Sequence, residues 1–115
     1  MKNQKTASQK RGKRNRQRGA ELQRQSVSIA KEFDLESYNR DRGGAQHEKG
    51  DIEIEGKYYG CKRRKRVPAW VLPEKSETGV VFRQDRGGAM IAIPFELFCL
   101  LLKFSKEMGM VNEQS

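Results

Sequence analysis

Cysteine, histidine, tryptophan and proline are all scarce in this chain: two, one, one and three residues. Two cysteines, Cys61 and Cys99, are too few for a disulfide framework or a zinc site, so a reducing, intracellular setting is expected. The only histidine, His47, lies in a polar loop and reads as a surface residue or phosphate contact before it reads as a general base. No run reaches the ~18 apolar residues that span a membrane. The longest apolar run, 95–102, is broken by Glu96. Acidic residues are missing altogether from residues 1–18, which carry Lys2, Lys5, Lys10, Arg11, Lys13, Arg14, Arg16 and Arg18. That arm has no apolar h-region, so it does not read as a secretory signal.

What is present follows from that imbalance. The net charge of +9 sits almost wholly in the arm and leaves a nearly neutral body. A basic arm on a neutral body suits a polyanionic partner, most often nucleic acid. Hydrophobic content is 35%, below the globular average of about 45–50%. The deficit lies at the two ends, so the body can still hold one modest core. The expected division is a disordered basic arm over 1–17, a folded domain over 18–108 and a frayed tail over 109–115.

The pattern along the body predicts a mixed α/β domain. Leu22, Ser26, Ile29, Ala30 and Phe33 recur at helical spacing, which predicts an amphipathic helix over 18–33 ended by Asp34. A short strand is expected within 35–40, then a glycine-containing polar loop over 41–50. The alternation in 51–54 predicts a half-buried strand, Gly56 a tight turn, and 58–65 the return strand. Tyr58 and Tyr59 alternate, so at most one of them should be buried. Pro68 and Pro73 limit 68–75 to a turn or two of helix. Residues 79–84 and 89–93 read as a hairpin around Asp85-Arg86-Gly87-Gly88, and Pro94 opens an apolar helix over 94–108.

The stretch 50-GDIEIEGKYYGCKRRKR-66 carries the chemistry. Alternate residues of a strand share a face. Asp51, Glu53 and Glu55 therefore fall on one face, and Gly60, Lys62 and Arg64 on one face of the next strand. The turn makes the strands neighbours, so Asp51 and Lys62 can lie within several ångströms of each other. A helix packed over the sheet could bring Glu21 toward the same place. A carboxylate cluster with a lysine beside it is what metal-assisted phosphodiester hydrolysis requires. Carboxylates hold Mg²⁺, the metal activates a water, and the ammonium offsets charge developing on the phosphorus centre. Read singly, each residue has a plainer role. Asp51 could be a strand-edge acid, Lys62 one phosphate-facing cation among several, and Glu21 a first-turn acid favoured by the helix dipole. The run 62–66 could also be a nuclear import signal.

Taken in order, these motifs resemble the PD-(D/E)XK nuclease superfamily, and within it the archaeal-type and phage-encoded Holliday junction resolvases. The matching features are Gly19-Ala20-Glu21 in the first helix, Gly43-Gly44, Gly50-Asp51-Ile52 and Cys61-Lys62 followed by basic residues. The later PAW, VVFRQDR and MIAIPFELF segments look like the phage branch, so the resemblance spans about 18–104.

The resemblance implies a mixed central β-sheet flanked by helices, restriction-endonuclease-like, in the order α-β-β-β-α-β-β-α. It implies a Mg²⁺ (or Mn²⁺) site held by Asp51, Glu21 and the Cys61 backbone carbonyl, with Lys62 as the catalytic lysine. Gly60 stands where the family has its second carboxylate. Three readings of it stay open: a Glu→Gly replacement that disables cleavage, transfer of the ligand role to Glu53, or a chain that has lost cleavage and keeps DNA-structure binding. The implied activity is endonucleolytic resolution of four-way or other branched DNA by a homodimer, in the cytoplasm of a bacterium or phage-infected host. DNA would be held through phosphates by Arg11, Lys13, Arg14, Arg16, Arg18, Arg42, Arg63, Arg64, Lys65 and Arg66. Trp70, Phe95, Phe98 and Leu102 are the candidate dimer contacts. The alternative is a non-catalytic binder of branched DNA or RNA.

Overall fold

The structure, a computed structural model, describes residues 7–40 and 51–109. They form a mixed α/β chain that divides into two compact units, Met1–Arg63 and Arg64–Ser115. The boundary falls inside the basic run, within the stretch expected to be one body.

The first unit begins with helix α1, Ala7–Glu32. It starts well ahead of the expected residue 18 and takes in much of the arm expected to be disordered. The arm lacks an apolar face, but Ala, Gln, Lys and Arg are among the better helix formers, and a helix already nucleated by the packed residues behind it extends at low cost. The buried face is Gln23, Ser26, Val27 and Ala30, while Leu22, Ile29 and Phe33 are half-buried.

The helix ends in a Schellman motif. Asp34 N–H donates to the Lys31 carbonyl at 3.0 Å and Leu35 N–H to the Ala30 carbonyl at 3.1 Å. Asp34 takes the left-handed conformation, φ 61°, which a short polar side chain tolerates better than most. Leu35 and Ala30 are both buried, the apolar contact that accompanies this cap.

Three strands follow: β1, Ser37–Asn39; β2, Ile52–Ile54; β3, Lys57–Tyr59. They form an antiparallel sheet in the order β1-β2-β3. Ile52 and Ile54 face α1 and are almost wholly buried. Ser37 ties the sheet to the helix, its hydroxyl donating to the Val27 carbonyl at 3.0 Å. Glu55 and Gly56, at φ 49° and 80°, make the two-residue turn in which both central residues take positive φ and which matches the twist of a hairpin. The return strand stops at Tyr59 instead of running to 65. Gly60 has no side chain to pack, and the alternation beyond it is of one charge with itself.

The second unit holds a 3-10 turn, Ala69–Val71, a hairpin of β4, Val80–Phe82, and β5, Met90–Ala92, and helix α2, Phe95–Glu107. Pro94 is the residue that caps α2 and not its first helical residue. All described pairings are antiparallel and lie in two separate sheets. Where the resemblance implies a single mixed central sheet, the described strands pair as a three-stranded and a two-stranded antiparallel sheet. All five residues at 62–66 are basic, so a strand continued through them would set like charges on both of its faces. Among the described residues, no helix is long and apolar enough to cross a membrane.

Ile54 is 0% exposed at the centre of the first sheet. Ile54→Ala should cost about 2–5 kcal/mol, read as a lower urea midpoint at unchanged slope.

Candidate active site

The hydrogen-bond ladder of the first sheet runs one step past the ends of its strands. Arg40 N–H donates to the Asp51 carbonyl and Asp51 N–H to the Tyr59 carbonyl, both at 2.9 Å. This places Asp51 between Arg40 and Gly60. Its Oδ2 then accepts the Cys61 N–H at 2.8 Å. A Cβ built on Gly60 would lie 3.9 Å from Asp51 Oδ2 and 3.9 Å from Lys62 Cε. The alternation expected from the sequence thus brings Asp51, Gly60 and Lys62 to one point.

The neighbouring positions face the helix. Cys61 is bonded by the Ser26 side chain of α1; burial pushes its thiol pKa up, with the Asp51 carboxylate adding to the rise and Ser26 and Lys62 opposing it. Cys61 was expected to contribute its carbonyl, but the contact it makes at the site is through its N–H. Glu21, also on α1, pairs with Arg63 at 2.5 Å. Glu53 pairs with Arg40 at 3.0 Å, and the Arg40 guanidinium lies 4.6 Å from the centre of the Tyr58 ring. Arg40 and Ser26 are the participants that sequence reasoning did not assign to the site. Ser26 was visible on the helix face, but only as packing. Arg40 shares its strand face with Tyr38, a signal obscured by the long loop that separates it from Asp51.

Mg²⁺ takes hard oxygen ligands in near-octahedral geometry. Among the described residues, no three His, Cys, Asp or Glu side chains gather as such a site needs. Asp51 is the carboxylate at the convergence; Glu21 and Glu53 are each held by an arginine. The described residues therefore do not by themselves make up a shell of two or more carboxylates. The space for another is open. Nothing approaches the Gly60 Cβ position closer than ordinary van der Waals contact, and Gly60 is not among the glycines at positive φ.

Of the expected phosphate contacts, Arg64, Lys65 and Arg66 are exposed in the second unit, and Lys62 and Arg63 are exposed in the first. The side chains of Arg11, Lys13, Arg14, Arg16 and Arg18, and the whole of Arg42, Gly43, Gly44, His47 and Gly50, lie outside the described residues. Among the candidate dimer contacts, Trp70 is 60% exposed, its ring 5.3 Å from that of Phe82. Phe95, Phe98 and Leu102 are half-buried; the exposed apolar residues of α2 are Leu100, Leu101 and Phe104. No family model, curated protein or solved structure matches the chain.

The open surroundings of Gly60 give a direct expectation. Neither space nor backbone angle requires glycine there, so Gly60→Ala should be neutral or stabilising by up to about 1 kcal/mol, through a less flexible unfolded chain. Urea unfolding measures it, and a loss above that size would mean glycine is structurally required.

Proposed function

We propose that the chain is a structure-selective DNA endonuclease of the Holliday junction resolvase type, impaired in strand cutting by Gly60. The observation that carries this reading is the single point beside Asp51 Oδ2 and Lys62 Cε at which a residue-60 side chain would begin. An acid and a lysine side chain that both come within 3.9 Å of an open side-chain position suit phosphodiester chemistry, and a plain basic hairpin gives no reason for the lysine to be there.

The proposed roles follow from charge and position. Lys62 would approach the scissile phosphate and offset the charge that grows on it. Asp51, fixed by the Cys61 amide, would hold the acid side of the site. Arg63, Arg64, Lys65, Arg66 and the basic residues of the arm would grip phosphates without reading bases. A four-way junction offers two symmetry-related strands, which suits a homodimer with an isologous interface, and Trp70 and the exposed residues of α2 are its candidate surface. The resolvase relationship and the restriction-endonuclease-like arrangement belong to this proposal. Mg²⁺ or Mn²⁺ is the cofactor the reading implies, and its shell would be completed by a carboxylate at 60. Use of Glu53 in that role would first require its pair with Arg40 to open.

The second reading is a non-catalytic binder of branched DNA or RNA. It is favoured by the missing three-ligand group among the described residues.

Gly60→Glu separates the two. Incubated with a mobile four-way junction and Mg²⁺, the variant should nick symmetrically at a rate at least about a hundredfold above the unaltered chain, a difference of roughly 2.7 kcal/mol in barrier. Binding without nicking in both forms would leave the second reading standing, and nicking by the unaltered chain that is lost in Glu53→Ala would assign the ligand role to Glu53. Phosphate contacts have their own signature. For Lys65→Ala, the slope of log affinity against log salt should fall by about one, to the same extent on junction and duplex.

A further inference from the structure

The sheet of the first unit has two unlike faces. Cross-strand partners share a face. Ser37 with Ile54, and Asn39 with Ile52 and Tyr59, face α1. Tyr38, Glu53 and Tyr58 are partners in one row on the opposite face. Alternation adds Arg40, Asp51 and Gly60 to that same face, and the Gly60 geometry adds Lys62.

Tyr38 and Tyr58 are 49% and 41% exposed, and they are the exposed large apolar side chains of the first unit among the described residues. A single exposed tyrosine needs no explanation. Two in one cross-strand row, on the face that carries the acid and the lysine, do. Strand spacing sets them about 10 Å apart, on either side of Glu53. Arg40 lies over the Tyr58 ring at 4.6 Å and is held there by Glu53 at 3.0 Å. The row therefore combines two aromatic faces with a planar cation whose orientation is set by its neighbours. Aromatic rings and guanidinium planes are the surfaces on which unpaired bases stack, whatever their sequence. Lys62 and Arg63, exposed in the same unit, supply the charge complementarity for the attached phosphates.

We propose that the Tyr38–Glu53–Tyr58 row, with Arg40, is a stacking platform for the unpaired bases at a DNA branch point. Bases seated on it present their phosphates to Lys62, so branch selectivity and the placement of the target strand have one origin. The proposal rests on the branched-DNA reading above and assigns the part of that site that recognises the branch.

The test compares two fluorescent probes at one salt concentration in EDTA: a fork with single-stranded arms, and a blunt duplex containing the fork's sequence. Tyr38→Leu and Tyr58→Leu should each weaken fork binding about tenfold, the size expected for one lost base–aromatic stack, and change duplex binding less than twofold. Tyr58→Trp, with a larger ring, should hold or tighten the fork, and it decides the matter if a leucine variant does not fold. Fork affinity that is unchanged in both leucine variants overturns the platform, as does equal loss on both probes by a variant with an intact urea transition or a Tyr58→Trp that binds like the leucine form. Failure of the unaltered chain to bind either probe overturns the DNA reading itself, and the platform with it.

Discussion

The register of the β2–β3 hairpin is the constraint on which the candidate site depends. Glu55 and Gly56 leave room for only two residues between Ile54 and Lys57, and that pairing decides which residue stands beside Asp51. A slip of one position would turn every side chain of one strand to the other face. Lys62 would then point toward α1, and Cys61 would take its place next to the acid. Two forces hold the register. The buried pair Ile52 and Ile54 can face α1 in only one alternation, and the Asp51 main chain and side chain both bond to residues 59–61. The carboxylate is therefore a structural acceptor and a chemical group at once. Its Oδ2 satisfies an amide that has run out of strand partners, and this fixes its direction.

The second support is the helix. The Schellman end of α1 reverses the chain into β1 within a few residues, and Ser37 bonding to Val27 sets how closely helix and sheet approach. The Ser26 side chain can then reach Cys61. Cys61 is thus pinned from the helix side while its amide is pinned by Asp51. A residue held at both ends gives Gly60 and Lys62, its neighbours, little freedom to drift. The pair Glu21–Arg63 adds less, because both side chains are largely solvated and exposed ion pairs contribute about 0–1 kcal/mol. It is a contact that a phosphate could exchange at low cost.

Much of this hairpin could be read before any coordinates. Alternation at Ile52 and Ile54 showed the buried face, Gly56 showed the turn, and counting outward from the turn brought Asp51 and Lys62 together. The readings that failed did so for identifiable reasons. Helix α1 starts earlier than its apolar pattern because the helix propensity of Ala, Gln, Lys and Arg extends it into the basic arm. The buried face includes Gln23 ahead of Leu22, which no search for apolar periodicity would choose. The return strand was drawn too long because alternation among Lys62, Arg63, Arg64 and Lys65 separates like from like. Period-two patterning indicates a strand only when the two faces differ in polarity. The division at 63/64 and the two separate sheets depend on the same run. Packing specifics were legible least: the interface candidates Phe95, Phe98 and Leu102 are half-buried, and sequence alone could not tell them from Leu100, Leu101 and Phe104 on a helix that is apolar nearly all round.

On the proposed function, Gly60 bears on what the site would attract as well as on what it could cut. Among the described residues, Asp51 and Lys62 bring opposite charges to the convergence, and Arg63, Arg64, Lys65 and Arg66 follow directly in sequence. Such a place favours an anion. A carboxylate at 60 would tip the local charge negative and favour a divalent cation, while adding repulsion toward the phosphate that only the bound cation could offset. Under the proposed function the two attractions would have to balance, and a site with glycine in place of an acid would lie toward holding DNA and away from cutting it. The exposed Tyr38 and Tyr58 lie on the same face and, as the proposed platform, would gain from that shift, because a strand whose phosphates are not repelled could settle its bases on them. Tight holding and slow cutting would then be two consequences of the glycine at 60.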